Sequence, residues 1–147
     1  MLALLLALGV AAGACGPGAP RQDLASGAAL FQRFCASCHG SDGLALPAEA
    51  PPLQGSSWVT GPETRLIRIV MHGVRGPIRV GDTIHDREMP GFGPILSDVE
   101  IAAVISFVRG RWNGPTEAIT PESVGRVRAA AADRTRYWTV EELLAVP

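Results

Sequence analysis

Cys35-Ala36-Ser37-Cys38-His39-Gly40 is the stretch of this 147-residue chain from which the expected fold follows. The pattern Cys-x-x-Cys-His is the attachment motif of a covalently bound haem, in which two thiols add to the porphyrin vinyl groups and the imidazole binds the iron. Two intervening residues place the thiols about one helical turn apart, so one short segment reaches both vinyl groups. The motif predicts one haem c held by Cys35, Cys38 and His39.

Two other kinds of site use closely spaced cysteines, and neither fits the sequence. A thioredoxin-like dithiol follows a strand of a βαβ unit, whereas no alternation of apolar and polar residues precedes Cys35. A zinc site needs a second pair of ligands, but the remaining cysteine is Cys15 and the remaining histidines are His72 and His85. Haem attachment is therefore the expected role of the motif.

Length and charge set limits on organisation and partners. The chain is long enough for one domain with an extension and too short for two ordinary domains. Its net charge is -1, so charge alone indicates no nucleic-acid partner and no anionic membrane. All 13 basic residues are arginines. A docking face ringed by lysines is thus excluded, whereas an arginine patch is not.

Residues 1–14 are almost wholly apolar, which predicts a signal peptide for export. The segment is shorter than the roughly 20 residues of a membrane-spanning helix, although it lacks the usual initial positive charges. Ala12-Gly13-Ala14 places the cleavage site before Cys15. That cysteine is either the acylated residue of a lipoprotein, which we favour, or a free thiol. Residues 15–22 then form a tether, and the expected location is the periplasmic side of a bacterial cell envelope, with a lipid anchor.

Helical periodicity marks residues 23–112 as the core domain. The expected helices are amphipathic, and they run from a cap at Asp23 to Cys35, from Pro62 to His72 and from a cap at Ser97 to Trp112. Segments 40–58 and 73–93 are rich in glycine and proline, so we expect loops there and no strand pair. The predicted fold class is all-α, with three to four core helices around the haem.

Residues 113–147 form a C-terminal extension. Thr120 is an expected N-cap, and Thr139 forms a second one with Glu142, so two further short helices are predicted. Tyr137 and Trp138 lie between them and indicate that the extension docks on the domain.

A six-coordinate iron needs a second axial ligand, and four side chains can supply it. Met71 lies on the apolar face of its helix, His72 is placed to cap that helix, and His85 stands in a charged loop. Met89 lies in a loop before Pro90, which favours an extended backbone able to present the thioether. We therefore expect Met89 to bind the iron and to raise the reduction potential relative to a second imidazole.

Three more residues are candidates for contact with the haem. Arg75 or Arg79 either pairs with a propionate through its guanidinium fork or solvates a polar loop. The indole N–H of Trp58 either donates to a propionate or belongs to a ring that fills the core beside the porphyrin. The sequence leaves both questions open.

These features together resemble a class I c-type cytochrome over residues 23–112. The haem motif, the Met89-Pro90 loop and the segment from Leu96 to Arg109 carry the resemblance. It implies that the first and last core helices cross tightly, and that a proline after the haem motif supports the histidine ligand. The matching residues are Gly27, Phe31 and Phe107 at the crossing and Pro52 beside the histidine.

The resemblance implies a monohaem electron carrier, not an enzyme, that exchanges single electrons with redox proteins. Segment 72–77 and the extension are similar to bacterial cytochromes c that are subunits or fused domains of quinoprotein dehydrogenases. A periplasmic dehydrogenase or a terminal oxidase is thus an expected partner. Two alternatives stay open: a haem enzyme or a gas or peroxide sensor with a labile sixth position, and a haem-bearing accessory subunit that docks through its extension.

Overall fold

The structure, a computed structural model, describes residues 20–45 and 50–146. The expected signal peptide, Cys15 and residues 15–19 of the tether lie outside this part. The helices described are α1 (Pro20–Phe34), α2 (Ala36–His39), α3 (Ser57–Thr60), α4 (Glu63–His72), α5 (Asp98–Trp112), α6 (Pro121–Ala130) and α7 (Val140–Ala145). Because these helices supply most of the buried core, the all-α fold class is confirmed. In these residues no helix has the length and hydropathy to cross a bilayer.

The ends of the helices follow the expected caps, with one correction. Side chains of Ser97, Thr120 and Thr139 each accept a hydrogen bond from the backbone amide three residues later. Helix α1, however, begins at Pro20 rather than after a cap at Asp23. Proline is favoured in the first turn of a helix, because the N–H that it lacks would have no intrahelical partner there. The periodic apolar pattern begins only after this proline, so the pattern could not show where helix α1 begins.

Helices α1 and α5 cross at Gly27. A Cβ at this position would overlap the carbonyl oxygen of Ala103 and lie 2.8 Å from the Cβ of Phe107. Beside the crossing, the ring centroids of Phe31 and Phe107 are 5.7 Å apart, and those of Phe31 and Trp112 are 5.0 Å apart. The crossing therefore has the glycine and aromatic residues that the sequence predicted.

Segment 73–93 contains short strands, which corrects the expectation of a loop without pairing. The strands are β1 (Gly73–Arg75), β2 (Ile78–Val80), β3 (Thr83–His85) and β4 (Met89–Pro90), with β5 (Trp138–Thr139) in the extension. Strands β2 and β3 form an antiparallel hairpin, and β1 lies between β4 and β5 in a small sheet. Strands of two or three residues are too short to show the apolar alternation by which a sequence reveals a strand.

Two apolar clusters organise the described residues. The larger one combines residues from helices α1, α4, α5 and α6, including Phe31, Ile67, Ile101, Ile105 and Val124. The smaller one has Ile69, Val74, Trp138 and Leu143 as its buried members. The extension contributes to both clusters through α6, β5 and α7, so it packs on the domain as predicted.

Candidate haem-binding site

The Cys-x-x-Cys-His motif lies at the junction of α1 and α2. Cys35 precedes α2, and His39 is the last residue of that helix. The amide of Cys35 donates to the carbonyl of Phe31, and the amide of His39 donates to the carbonyl of Cys35. Along this nearly continuous helical backbone, Cys35, Cys38 and His39 all reach the wall of one cavity.

His39 is oriented by a hydrogen bond from its ring. Its Nδ1 lies 3.1 Å from the carbonyl oxygen of Pro51. Because a carbonyl only accepts, Nδ1 carries the proton and Nε2 keeps the lone pair that a metal needs. Burial lowers the pKa of His39, while the hydrogen bond to Pro51 opposes this effect. The neutral imidazole is the form that binds iron.

The supporting proline is Pro51, although Pro52 was the expected residue. Pro52 lies on the cavity wall, but the carbonyl that accepts from His39 belongs to Pro51. Two adjacent prolines offer two carbonyls, and sequence spacing cannot tell which of them faces the ring. The loop that carries them is held by Asn113, whose Oδ1 accepts from the amide of Gly55 at 2.8 Å.

The cavity beside the motif measures about 1310 Å³, counting its open mouth. Its wall combines residues of α1, α4, α5 and the strands, and most of them are apolar, among them Leu30, Phe34, Val70, Ile78, Val104 and Ile105. Such a lining suits a large apolar cofactor, since burial of its surface supplies most of the binding free energy.

The four candidates for the second axial ligand divide into two pairs. Met89 and His85 line the cavity. Met71 instead belongs to the larger apolar cluster, and the ring of His72 packs edge-on against Trp138 at a centroid distance of 6.3 Å. Neither Met71 nor His72 is part of the cavity wall formed by the described residues.

His85 differs from its expected place in a solvated loop. It is half-buried at the end of β3, where it pairs with Ile78, and both residues line the cavity. Its Nε2 is buried and has no hydrogen-bond partner within the described part of the chain. Arg87, which the sequence did not single out, also lines the cavity. The hairpin register that brings this segment to the wall cannot be read from its charged composition.

Trp58 lies on the cavity wall, and its indole N–H donates to the carbonyl of Arg79 at 3.0 Å. The side chain of Arg79 is exposed. Arg75 forms an ion pair with Glu88 at an N–O distance of 3.3 Å, and its guanidinium lies 5.0 Å from the ring centroid of Tyr137. The described residues therefore place Trp58 at the cavity wall, but not the side chains of Arg75 and Arg79.

The chemistry of the thiols disfavours the other uses of such a motif. Burial, with the charge of the Cys38 thiolate as a second cause, raises the pKa of Cys35 to about 11. A redox-active dithiol needs a lowered thiol pKa, because the thiolate is the nucleophile. Among the described residues, no three His, Cys, Asp or Glu side chains are grouped to hold a metal ion. The raised pKa of Cys35 thus gives no support to a thioredoxin-like site.

The cavity fits a haem c. Two thiols lie next to an imidazole whose Nε2 is unprotonated, a thioether lies on the same wall, and apolar side chains line the remainder. Residues 22–108 match the family described as "Cytochrome C oxidase, cbb3-type, subunit III", a range that contains the motif and Met89. The chain belongs to this cytochrome c family. Membership of this family implies a covalently bound haem c with its iron.

Curated relatives include both large subunits and a small cytochrome. The cytochrome is 37% identical over 112 residues to the gluconate 2-dehydrogenase cytochrome c subunit of Pantoea cypripedii, covering 72% of this chain and 24% of that relative. It is 35% identical over 96 residues to the cbb3-type cytochrome c oxidase subunit FixP of Rhizobium etli, covering 64% and 32%. The chain thus spans no more than about a third of these two relatives.

Cytochrome c-552 of Thermus thermophilus is 31% identical to the cytochrome over 114 residues, and this alignment covers 71% of the chain and 86% of the relative.

Proposed function

We propose that the cytochrome transfers single electrons through a haem whose iron is bound by His39 and Met89. The observation that carries this proposal is that His39 and Met89 line the same cavity as the two cysteines of the motif. Met71 and His72 lie outside that wall, in the core and against Trp138. Of the two remaining candidates we choose Met89, because the following Pro90 favours an extended backbone that presents the thioether.

The bound haem supplies an iron that changes between its ferric and ferrous states. The residues of the chain determine how it does so. His39 and Met89 would both bind the iron of the haem, which would leave it no position for a substrate. A thioether ligand favours the ferrous state and raises the potential relative to a second imidazole. The apolar wall keeps water from the cofactor, which limits the rearrangement that accompanies a change of charge.

Arg87 and His85 are the side chains that we assign to the haem propionates, in place of Arg75 and Arg79. A guanidinium matches a carboxylate in a bidentate fork. The buried Nε2 of His85 has no partner among the described residues, and a propionate oxygen would supply one. Pro52 and Trp58 then serve as walls of the cavity.

The physiological partners in this proposal are redox proteins of the bacterial cell envelope. The relatives are named as subunits of a gluconate dehydrogenase and of a terminal oxidase, which supports a dehydrogenase or an oxidase as donor or acceptor. The apolar residues 1–14 support export to the periplasmic side, with retention by a lipid on Cys15. Mass spectrometry of the mature N-terminus should find an acylated Cys15, and an unmodified Cys15 would exclude the anchor.

Replacing Met89 with alanine tests the ligand assignment. We expect the weak sulfur-to-iron absorption band at the red end of the ferric spectrum to disappear and the reduction potential to fall, because the thioether is removed. The haem should stay attached through Cys35 and Cys38.

The matched control is Met71→Leu, which replaces the other described thioether with a side chain of similar volume. This variant should keep the band. A band that survives in Met89→Ala would rule Met89 out as the ligand. If the wild-type cytochrome has no such band and His85→Ala changes its spectrum, the ligand is His85.

A further inference from the structure

Strand β1 lies between the strand that carries Met89 and a strand of the C-terminal extension. Val74, in the middle of β1, pairs with Met89 of β4 in antiparallel register and with Trp138 of β5 in parallel register. A two-residue strand such as β4 is not stable alone, because its few ladder hydrogen bonds do not offset its loss of conformational entropy. Its position therefore depends on what holds β1, together with the hydrogen bonds that Phe92 and Gly93 donate to helix α4.

Both neighbours of Val74 also contact the two flanking segments. A Cβ at Gly73 would overlap the carbonyl oxygen of Met89 and would lie 2.6 Å from the ring of Tyr137. Gly73 has a φ of +77°, so its backbone favours glycine as well. Arg75 pairs with Glu88 on one side and places its guanidinium over the ring of Tyr137 on the other. All three residues of β1 thus link the Met89 segment to the extension.

Trp138 anchors the extension in the smaller apolar cluster. With Leu143 it supplies two of the four buried members of that cluster, and Met89 packs against the same cluster. Loss of the Trp138 side chain would therefore remove packing partners from β1 and from the surroundings of Met89 together.

Arg134 holds the turn that leads into β5. Its guanidinium lies 3.4 Å from the ring centroid of Trp138, and its Nη2 donates to the carbonyl of Tyr137 at 2.8 Å. It also pairs with the carboxylate of Glu142, and its side chain is only 12% exposed. Arg136 reaches the same carboxylate at 3.6 Å, but its side chain is 79% exposed. The two arginines therefore share a partner and differ in burial and in contact with Trp138.

We propose that Trp138 and Arg134 are positioning residues for the sixth haem ligand: they hold β5 against β1, and β1 in turn holds the strand of Met89. This inference rests on the proposed ligation of the iron by Met89. Local opening of β4 would release the Met89 thioether from the iron. By holding β1, the extension lowers the population of this open state. The extension thus acts on the redox centre through the sheet.

The experiment measures imidazole binding to the ferric full-length cytochrome under native conditions. Imidazole binds only when the sixth position is open, so its apparent affinity rises in proportion to the open population. Trp138→Ala and Arg134→Gln should raise that affinity by roughly tenfold or more. A tenfold rise corresponds to a decrease of about 1.4 kcal/mol in the free-energy difference between the open and closed states.

Two controls separate positioning from general destabilisation. Arg136→Gln removes the exposed arginine that pairs with Glu142. This variant should bind imidazole as the wild type does. Val127→Ala, in the larger cluster, should lower the free energy of global unfolding without a change in imidazole affinity.

The outcomes distinguish this inference from the ligand assignment. If Met89→Ala loses the sulfur-to-iron band while Trp138→Ala and Arg134→Gln bind imidazole as the wild type does, the positioning role is refuted and the ligand assignment stands. If Met89→Ala keeps the band, both proposals fail. Should Trp138→Ala not fold, Arg134→Gln alone decides, since it leaves the tryptophan in the cluster.

Discussion

At the scale of single residues, Gly27 is the position at which the fold most clearly requires that there be no side chain. Its missing Cβ lets α1 approach the carbonyl oxygen of Ala103 on α5. Gly27→Ala should lower the free energy of unfolding by about 1–3 kcal/mol, because one of the two helices must shift. Equilibrium unfolding in urea of the haem-bound cytochrome measures this change.

Gly110 provides the matched control on the other helix of the crossing. Apart from its chain neighbours and the backbone of its own helix, a Cβ there would have no described atom within 4 Å. Gly110→Ala should therefore raise the free energy of unfolding by about 0.5–1 kcal/mol, since alanine loses less backbone entropy in a helix. Equal effects of the two substitutions would show that the crossing does not depend on close approach at Gly27.

His72 predicts a pH dependence. Burial lowers its pKa from the ordinary value of 6.5, and the positive charges of Arg134 and Arg128 lower it further. The backbone carbonyls of Ala131 and Arg68 raise the pKa of His72 without reversing these effects. The folded state thus favours the neutral imidazole, and the unfolded state takes up a proton first as the pH falls.

The stabilising contribution of His72 should be complete above pH 6.5 and should decline as the pH falls toward the lowered pKa. Urea unfolding between about pH 7.5 and about pH 5 should show a smaller loss of stability in His72→Gln than in the wild type, because glutamine does not titrate. Parallel pH profiles for the two proteins would refute this role of His72.

At the scale of secondary-structure elements, Arg128 ties α6 of the extension to the segment after Met89. It donates to the carbonyl of Gly93 at 2.9 Å and to that of Leu96 at 3.0 Å, and it pairs with Asp98 at 2.7 Å. Arg128→Leu should lower the free energy of unfolding by about 1–3 kcal/mol, because it leaves these acceptors without their donor. Denaturant unfolding measures the change.

Arg126 lies on the same helix and is exposed, so Arg126→Leu is the control for loss of one arginine. Its effect should stay within about 0.5 kcal/mol. If the two substitutions cost the same, the hydrogen bonds of Arg128 contribute nothing specific to the docking of α6.

The sequence predicted the elements whose signals are local. Caps at Ser97, Thr120 and Thr139 depend on residues three positions apart, and each was found where the pattern indicated. The glycine at the helix crossing followed from the resemblance to class I c-type cytochromes. Strands β1 to β5 were missed, since pairs such as Val74 with Trp138 join residues that are far apart in sequence and belong to runs too short for a periodic signal.

At the scale of the whole molecule, the haem motif predicted the family and the cofactor, because five consecutive positions perform one chemical task. Side chains around the cavity were less predictable. His85 and Arg87 reach the wall through a hairpin register, and Arg75 is drawn away from it by Glu88 and Tyr137. Long-range contacts decide each of these positions, and charge patterns along a loop do not reveal them.

Carbon monoxide binding to the reduced full-length cytochrome tests most directly whether it is a carrier with both axial positions filled by the protein. If Met89 occupies the sixth position, binding should be slow and weak in the wild type and fast and tight in Met89→Ala, because carbon monoxide must otherwise wait for the thioether to leave. Binding to the wild type that is as fast and as tight as in Met89→Ala would contradict this, and would favour a haem enzyme or a gas sensor instead.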